Sequence, residues 1–422
     1  VSAGLVLVLI VAGAYLAAHI AFDWLARRYL VVSGAEYLLL GILIGPYGAH
    51  LADETVIGGF APFMLLALGW TGAVIGAQFH LPTLIRLPAG QIQVALLEAV
   101  LTLVVVTAVM GAAFVLQFDL EPRDAVAPAV SLGAVATSSS LWGIAIITRR
   151  ITHRPAIVRQ LEIAAMVDAA VAITAFGLLL CADHPVPERS PRAPTGVEWA
   201  VIATAIGVVG GWLFHLFLRG ERKPDRLYVS LVGALTLASG AAAFMRLSPL
   251  LPAMIIGAVL VNTSRNRRAI TQALDKVQRP LYFVLLVFAG TAWRPSVAAS
   301  VLPVILFLAI RTAAKMGGAA LAARLHGTIG SLGPDWGRAL VGQGRLAVAI
   351  ALNLLLYDDS LLANVVFTAT VASVLLTDVA SARLVQSVVS RYRDRRAPRP
   401  AEGAMLAPPG HGTPATPLEV ET

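Results

Sequence analysis

Asp168 stands inside the apolar run 161-LEIAAMVDAAVAITAFGLLL-180, which at about 20 residues is long enough to cross a bilayer as a helix. Burying an unpaired carboxylate there costs about 2.5 kcal/mol or more. A membrane helix keeps such a residue where it faces an aqueous cavity or a partner, so the first reading is an ion or proton site. The other reading is a carboxylate neutralised by a basic neighbour that ties helices together. Upstream, Thr137, Ser138, Ser139 and Ser140 stand consecutively at mid-span in 131-SLGAVATSSSLWGIAII-147. One or two hydroxyls can bond back to their own helix. Four together, after small residues, suggest a helix that unwinds and offers oxygen ligands and helix ends to a cation. Helix packing by small residues is the alternative.

Further along, 339-ALVGQGRLAVAIALNLLL-356 carries Gly342, Gln343 and Gly344, followed by Arg345. Glycine loosens a helix, and polar groups at such a break must line a cavity or be buried in protein. Arg311 and Lys315 lie four apart in 305-ILFLAIRTAAKMGGAALAARL-325 and share one helix face. Two cations on one face in lipid require anions opposite, Asp168 first among them. Lys315 has a second reading as a snorkelling residue, and a third as an additional proton carrier. Glu36, in 33-SGAEYLLLGILIGP-46, is either an interfacial acid at a helix start or an accessory group. Glu98 is a weaker case of the same kind. Asn262 closes an apolar segment, as a helix cap or an accessory group.

The elements that must position these residues follow from composition. Of 422 residues, 58% are hydrophobic and only 13% charged, with a mean hydropathy of +0.79. A soluble domain carries about 25% charged residues, so the chain reads as an all-α polytopic membrane protein forming one bundle. The single cysteine, Cys181, excludes an internal disulfide. The eight histidines show no metal-ligand spacing, and no cofactor is expected. The first apolar run lacks a basic n-region and a cleavage site, so it reads as a permanent helix. Thirteen apolar segments are expected at about 4–24, 30–49, 56–79, 93–117, 124–148, 160–181, 197–218, 227–245, 249–262, 280–293, 297–323, 337–356 and 361–386. A Pro-rich loop spans 183–196. The stretch 391–422, basic and then rich in Pro and Gly, reads as a disordered tail.

Charge sets an expected orientation. With the N-terminus outside and alternating spans, the inner connections and tail hold 24 of the 32 Lys and Arg residues, and the outer connections hold 5. That bias is the positive-inside rule. It puts the C-terminus in the cytoplasm, and a bacterial inner membrane suits the Ala- and Arg-rich composition. It also removes the reason to read the net charge of +8 as nucleic-acid binding, since the basic residues serve topology and anionic lipid. The fifth and twelfth segments, both interrupted, occupy corresponding places in two six-segment halves joined by the seventh. Paired interruptions of this kind point to a transporter site at an inverted-repeat interface.

Over about residues 4–386 these features resemble the monovalent cation–proton antiporter superfamily, especially its Kef-type branch. The run 38-LLLGILIGPYG-48 is similar to the family's G-x-L-x-G-P signature. Ala136, Thr137, Ser138 and Ser139 look like its first crossing helix, and Gly342, Gln343 and Gly344 like the second. Asp168 falls where the family keeps its ion-binding aspartate. Lys315-Met316-Gly317-Gly318 resembles the family's G-K-x-x-G segment, and Arg311 an arginine found one turn earlier in some members. The runs 252-PAMIIGAVLVN-262 and 279-RPLYFVLLVFAG-290 are similar to its A-F-x-x-G and F-F-x-x-x-G stretches. The chain departs from the pattern at Val167, where the family often has Asn or Asp, and at Arg345, where an acid is common. It also lacks the third-helix acid of one electroneutral branch in 68-LGWTGAVIGAQF-79.

The resemblance implies a transmembrane domain over 1–390 and no enzymatic activity. Core helices would lie at about 93–181 and 297–386, panel helices at 4–79 and 227–293, and a linker at 197–218, with a homodimer formed through the panel. Na⁺ or K⁺ would compete with H⁺ at Asp168, with oxygen ligands from Thr137, Ser138 and Ser139, and Lys315 and Arg311 would balance charge. Two other classes remain open at this point: a sodium-coupled symporter of organic anions and a non-transporting sensor or scaffold.

Overall fold

The computed structural model describes residues 35–50, 58–140, 143–145, 156–185, 194–218, 224–264, 267–294, 296–326 and 333–396. The expected first segment, Arg149, Arg150 and Arg154, most of the Pro-rich loop, and the tail from 397 lie outside the described residues. Within them the chain is helical, with no strand.

The helices are α1 (Ala35–Ile44), α2 (Ala61–Gly76), α3 (Leu81–Leu84), α4 (Ala89–Phe118), α5 (Val126–Thr137), α6 (Ala156–Ala182), α7 (Gly196–Leu218) and α8 (Pro224–Phe244). They continue with α9 (Leu250–Thr263), α10 (Arg267–Ala292), α11 (Val297–Leu325), the 3₁₀ turn η1 (Pro334–Leu340), α12 (Arg345–Tyr357) and α13 (Leu361–Arg396). Among the described residues five helices are long and apolar enough to cross a membrane, or seven if two bent pairs each count as one span. The helices α2, α5 and α9 are apolar but shorter.

One expected connection is instead helical. Residues 267–279, counted above as an inner loop, form the first half of α10, which runs on through Pro280. Hydropathy sees only the apolar second half. The first half places Ile270, Ala273, Leu274 and Val277 on one face, and Ile270 and Leu274 bury against Leu227, Leu231 and Trp70. The indole Nε1 of Trp70 donates to the Leu274 carbonyl at 3.0 Å.

Two groups of helices can be followed from their contacts. In one, α2 packs on α9 and α8, and α1 on α10. Small residues set the spacing. A Cβ on Gly41 would fall 1.9 Å from the Val287 carbonyl oxygen, and one on Gly290 would fall 2.2 Å from that of Leu38. Glycines Gly76 and Gly257 do the same for α2 against α9. Such backbone-to-backbone approach is how membrane helices associate without a hydrophobic drive between them. Gly41→Ala is therefore expected to destabilise the protein by about 1–3 kcal/mol, the usual cost of overpacking, seen as a lower melting temperature in detergent. An unchanged melting temperature would show that α1 and α10 are not this close.

In the other group, α4 packs on α11, α5 and α6, while α13 packs on α11, α12 and η1. Here the two interrupted elements meet. α5 ends at Thr137, Ser138 is extended (ψ 126°), and the chain is helical again at 143–145. η1 and α12 are separated by the non-helical residues 341–344 and make an angle of 57°.

Candidate ion-binding site

The site is built where these two breaks face each other. The Ser140 N–H donates to the Gly342 carbonyl at 2.9 Å rather than to a carbonyl of its own helix. The Ser139 hydroxyl lies 3.1 Å from the Leu340 carbonyl, and the Gln343 amide Nε2 donates to the Val135 carbonyl at 3.2 Å. Gly344 permits the approach: a Cβ there would sit 3.2 Å from Ser140 Cα. Each break thus satisfies backbone groups that the other frees, as burial inside a bilayer demands.

The local reason for the first break is in its hydroxyls. Thr137 Oγ1 donates to the Gly133 carbonyl at 2.9 Å, and Ser138 Oγ to that of Val135 at 2.8 Å. Side chains that occupy helix carbonyls in this way compete with the backbone ladder. Ser139 instead turns outward from the helix and donates to Asp168 Oδ2 at 2.5 Å.

α6 carries Asp168 to the crossing, where it is fully buried. α11 brings Lys315 beside it. Lys315 Nζ lies 2.7 Å from Asp168 Oδ2 and 3.1 Å from Glu98 Oε1, and none of the three side chains is exposed. Glu98, on α4, also accepts from Thr102 Oγ1 at 2.9 Å. Gly318, one turn beyond Lys315, faces the Glu98 carbonyl, so α4 and α11 run close at this level. Asp168 Oδ1 makes no hydrogen bond to the described residues.

Arg311 has a different task. Its guanidinium donates to the Val341 carbonyl at 2.5 Å and to the Ser138 carbonyl at 3.3 Å, one acceptor from each break. A planar fork can reach both, where a point-like ammonium cannot. Arg311→Lys is expected to lose about 1.5–3 kcal/mol, the scale for hydrogen bonds to a charged donor, measured as a drop in melting temperature. No drop would mean that the breaks do not depend on the fork.

The other residues singled out in the sequence lie apart in their bonding. Arg345 opens α12 with its guanidinium carbon 5.4 Å from the Tyr282 ring centre. Its nitrogens are 3.2 Å from the Gln278 amide oxygen, with that amide turned to accept. Asn262 falls inside α9 rather than at its cap. It donates to the carbonyls of Phe79 and Ala258 at 2.7 Å each and accepts from Leu81 N–H at 2.8 Å, which fastens α9 to the end of α2. Glu36 is in the first turn of α1, and its side chain lies outside what the structure describes. Among the described residues no group of histidine, cysteine and acid side chains has metal-holding geometry.

Comparison with known proteins bears on the family and the fold. Over residues 35–386 the chain matches the family model described as "Sodium/hydrogen exchanger, transmembrane". No match is found among curated proteins. Two solved structures of the sodium proton antiporter MjNhaP1 from Methanocaldococcus jannaschii have a similar fold. One, at pH 8, has a TM-score of 0.67 at 14% identity, over 92% of this chain and 98% of that one. The other, from an electron-microscopy map, has a TM-score of 0.65 at 17% identity, over 94% and 98%. A family model that covers most of the chain, on an all-helical fold with apolar spans, leads to one conclusion: this chain belongs to the sodium/hydrogen exchanger family and is an integral membrane cation:proton antiporter, not an enzyme.

Proposed function

We propose that the protein exchanges Na⁺ for H⁺ at Asp168 by alternating access. The observation that carries this reading is the fully buried Asp168 carboxylate at the meeting of two interrupted spans, with one oxygen held by Ser139 and Lys315 and the other unengaged by the described residues. A dehydrated cation and a proton compete for the same carboxylate, because either one neutralises it and the two together leave a charge in a medium of low dielectric. Thr137, Ser138 and Ser139 donate their protons to other acceptors and keep oxygen lone pairs with which to ligate the cation. Carbonyls at the two breaks add further oxygen. The guanidinium of Arg311 holds the breaks in register and offsets charge when the site is empty, and Gly342, Gln343, Gly344 and Arg345 form the second break and the helix start behind it.

Packing supports a moving part and a static part. The pairs α2 with α9 and α1 with α10 exchange under a swap of the two halves, and α4 with α11 maps onto itself, as an inverted repeat requires. We read α4–α6 with α11–α13 as the ion-carrying core, and α1, α2 and α8–α10 as the panel it moves against. The same reading puts a second copy against the panel, the N-terminus outside and the C-terminus in the cytoplasm of a bacterium.

The test is exchange by the purified protein in liposomes loaded with a pH-sensitive dye. Pulses of Na⁺ are expected to move protons outward, with K⁺ and Li⁺ pulses ranking the cations. A proton flux that responds to none of the three would overturn the reading.

A further inference from the structure

Asn353 is a fully buried side chain that the site at Asp168 does not use. Neither its amide oxygen nor its amide nitrogen has a hydrogen-bond partner among the described residues. Asn364, on the next helix and also buried, donates from Nδ2 to the Ser360 carbonyl at 3.0 Å and leaves Oδ1 without a partner among them. We infer that these two amides line the outer half of the route by which a hydrated monovalent cation reaches Asp168, a route that is sealed in this conformation. The inference rests on the reading of Asp168 as the exchange site, of the core as the part that moves, and of the orientation proposed above.

Both amides face the seam between core and panel. Tyr357 is four residues beyond Asn353 on α12 and shares its face. Its hydroxyl donates to the Leu247 carbonyl, between α8 and α9, at 2.6 Å. Thr368 stands in the same relation to Asn364 on α13, and it accepts from Trp293 Nε1, just past the end of α10, at 3.0 Å. Arg294, beside Trp293, pairs with Asp359 in the α12–α13 connection at 3.3 Å. These three bonds clasp the outer ends of core and panel together. Asn353 lies nine residues past Gly344, about 13 Å along α12, between this clasp and the break beside Ser140. Its neighbours on the same face, Ala349 and Ile350, belong to an apolar cluster shared with Leu247 and Leu285 of the panel. Leaving an amide buried and unmatched disfavours a state by about 10- to 100-fold. Leucine has the same branched heavy-atom skeleton and would sit in such a seam without that penalty. An amide at this place is accounted for by a second state in which it meets water or a cation. When the core moves and the outer bonds part, water reaches both side chains. Their oxygens then offer lone pairs to the cation, and Asn353 Nδ2 donates to its water. The unmatched amides thus disfavour the sealed state and keep the core from being trapped in it.

The test is the Na⁺ concentration that gives half-maximal proton movement. It is measured in right-side-out vesicles, where added Na⁺ meets the outer face, and in everted vesicles, where it meets the inner face. A state populated to a given fraction binds from its own side with an affinity reduced by that fraction. The ratio of outer to inner values therefore follows the balance between the sealed and open states. Asn353→Leu is expected to raise that ratio by about 10- to 100-fold, because it removes the unmatched amide from the sealed state and sets an apolar group in the wet one. Asn353→Asp, of the same shape, is expected to lower it, because a carboxylate needs water more than an amide does. A ratio that stays the same in both active variants, or moves the same way in both, overturns the inference, since a packing role changes stability and not sidedness. Where neither variant folds, Asn364→Cys carries the test in a Cys181→Ala background, which removes the single native thiol. A membrane-impermeant thiol reagent is expected to modify it from the outer face alone, and modification from the inner face, or none, overturns the inference. Asp168→Asn in the same vesicles separates the two claims. Exchange that survives in it overturns the Asp168 reading itself, and exchange lost there with the Asn353 ratios unmoved overturns only the role of the two asparagines.

Discussion

Asp168→Asn is expected to abolish exchange while the protein still folds and inserts. Asparagine keeps the shape of the side chain and one carbonyl oxygen, so Ser139 retains an acceptor. Lys315 keeps Glu98 as its counter-ion at 3.1 Å, so no charge is stranded. What disappears is the carboxylate's ability to hold either a proton or a cation. At an effective dielectric of about 20, a cation about 2.5 Å from a carboxylate gains roughly 6–7 kcal/mol. Losing that term weakens cation binding by about four to five orders of magnitude. In everted vesicles the variant should show normal abundance, a melting temperature close to that of the unaltered protein, and no Na⁺-dependent proton movement. PH-dependent Na⁺ uptake that persists in Asp168→Asn would place the exchange site elsewhere.

Lys315→Met is expected to have the largest effect on stability. The methionine stem replaces most of the lysine's apolar volume, which limits the cavity term. The lost ammonium leaves Asp168 and Glu98 facing each other in a site with no solvent exposure. Breaking a buried pair from one side typically costs about 3–5 kcal/mol, because the remaining charge is uncompensated. The loss should appear as a large fall in melting temperature. In a Glu98→Gln background the same substitution should cost much less, because one of the two stranded anions is already gone, and that non-additivity measures the coupling. Equal costs in both backgrounds would mean that Lys315 and Glu98 do not interact.

Much of this site was legible in the residues. An acid in an apolar run, a row of hydroxyls and a Gly-Gln-Gly interruption each carry a cost in lipid that only a buried polar site offsets, so Asp168, Ser139 and Gly342–Gly344 could be picked out one at a time. Glu98 is harder to single out, because an acid near a segment end is equally at home at the interface. A signal did exist. On the alternating topology that the charges imply, Glu98, Asp168 and Lys315 all lie toward the inner ends of their segments, at a common depth. The distinct task of Arg311 was hidden as well. Sharing a face with Lys315 suggested that both would meet carboxylates, yet the arginine reaches two backbone carbonyls. The helix over 267–279 escapes hydropathy because a polar, one-sided helix has no apolar run to betray it.

Composition and periodicity alone determined that this is a helical membrane protein, because lipid leaves backbone groups no partner except their own helix. They also located the residues too costly to keep there without a use. Only the tertiary structure decided which of those residues share a site, because that depends on the close approach of α4, α6 and α11. Chain spacing cannot report it: Glu98, Asp168 and Lys315 are far apart in sequence and meet within hydrogen-bonding distance of one ammonium.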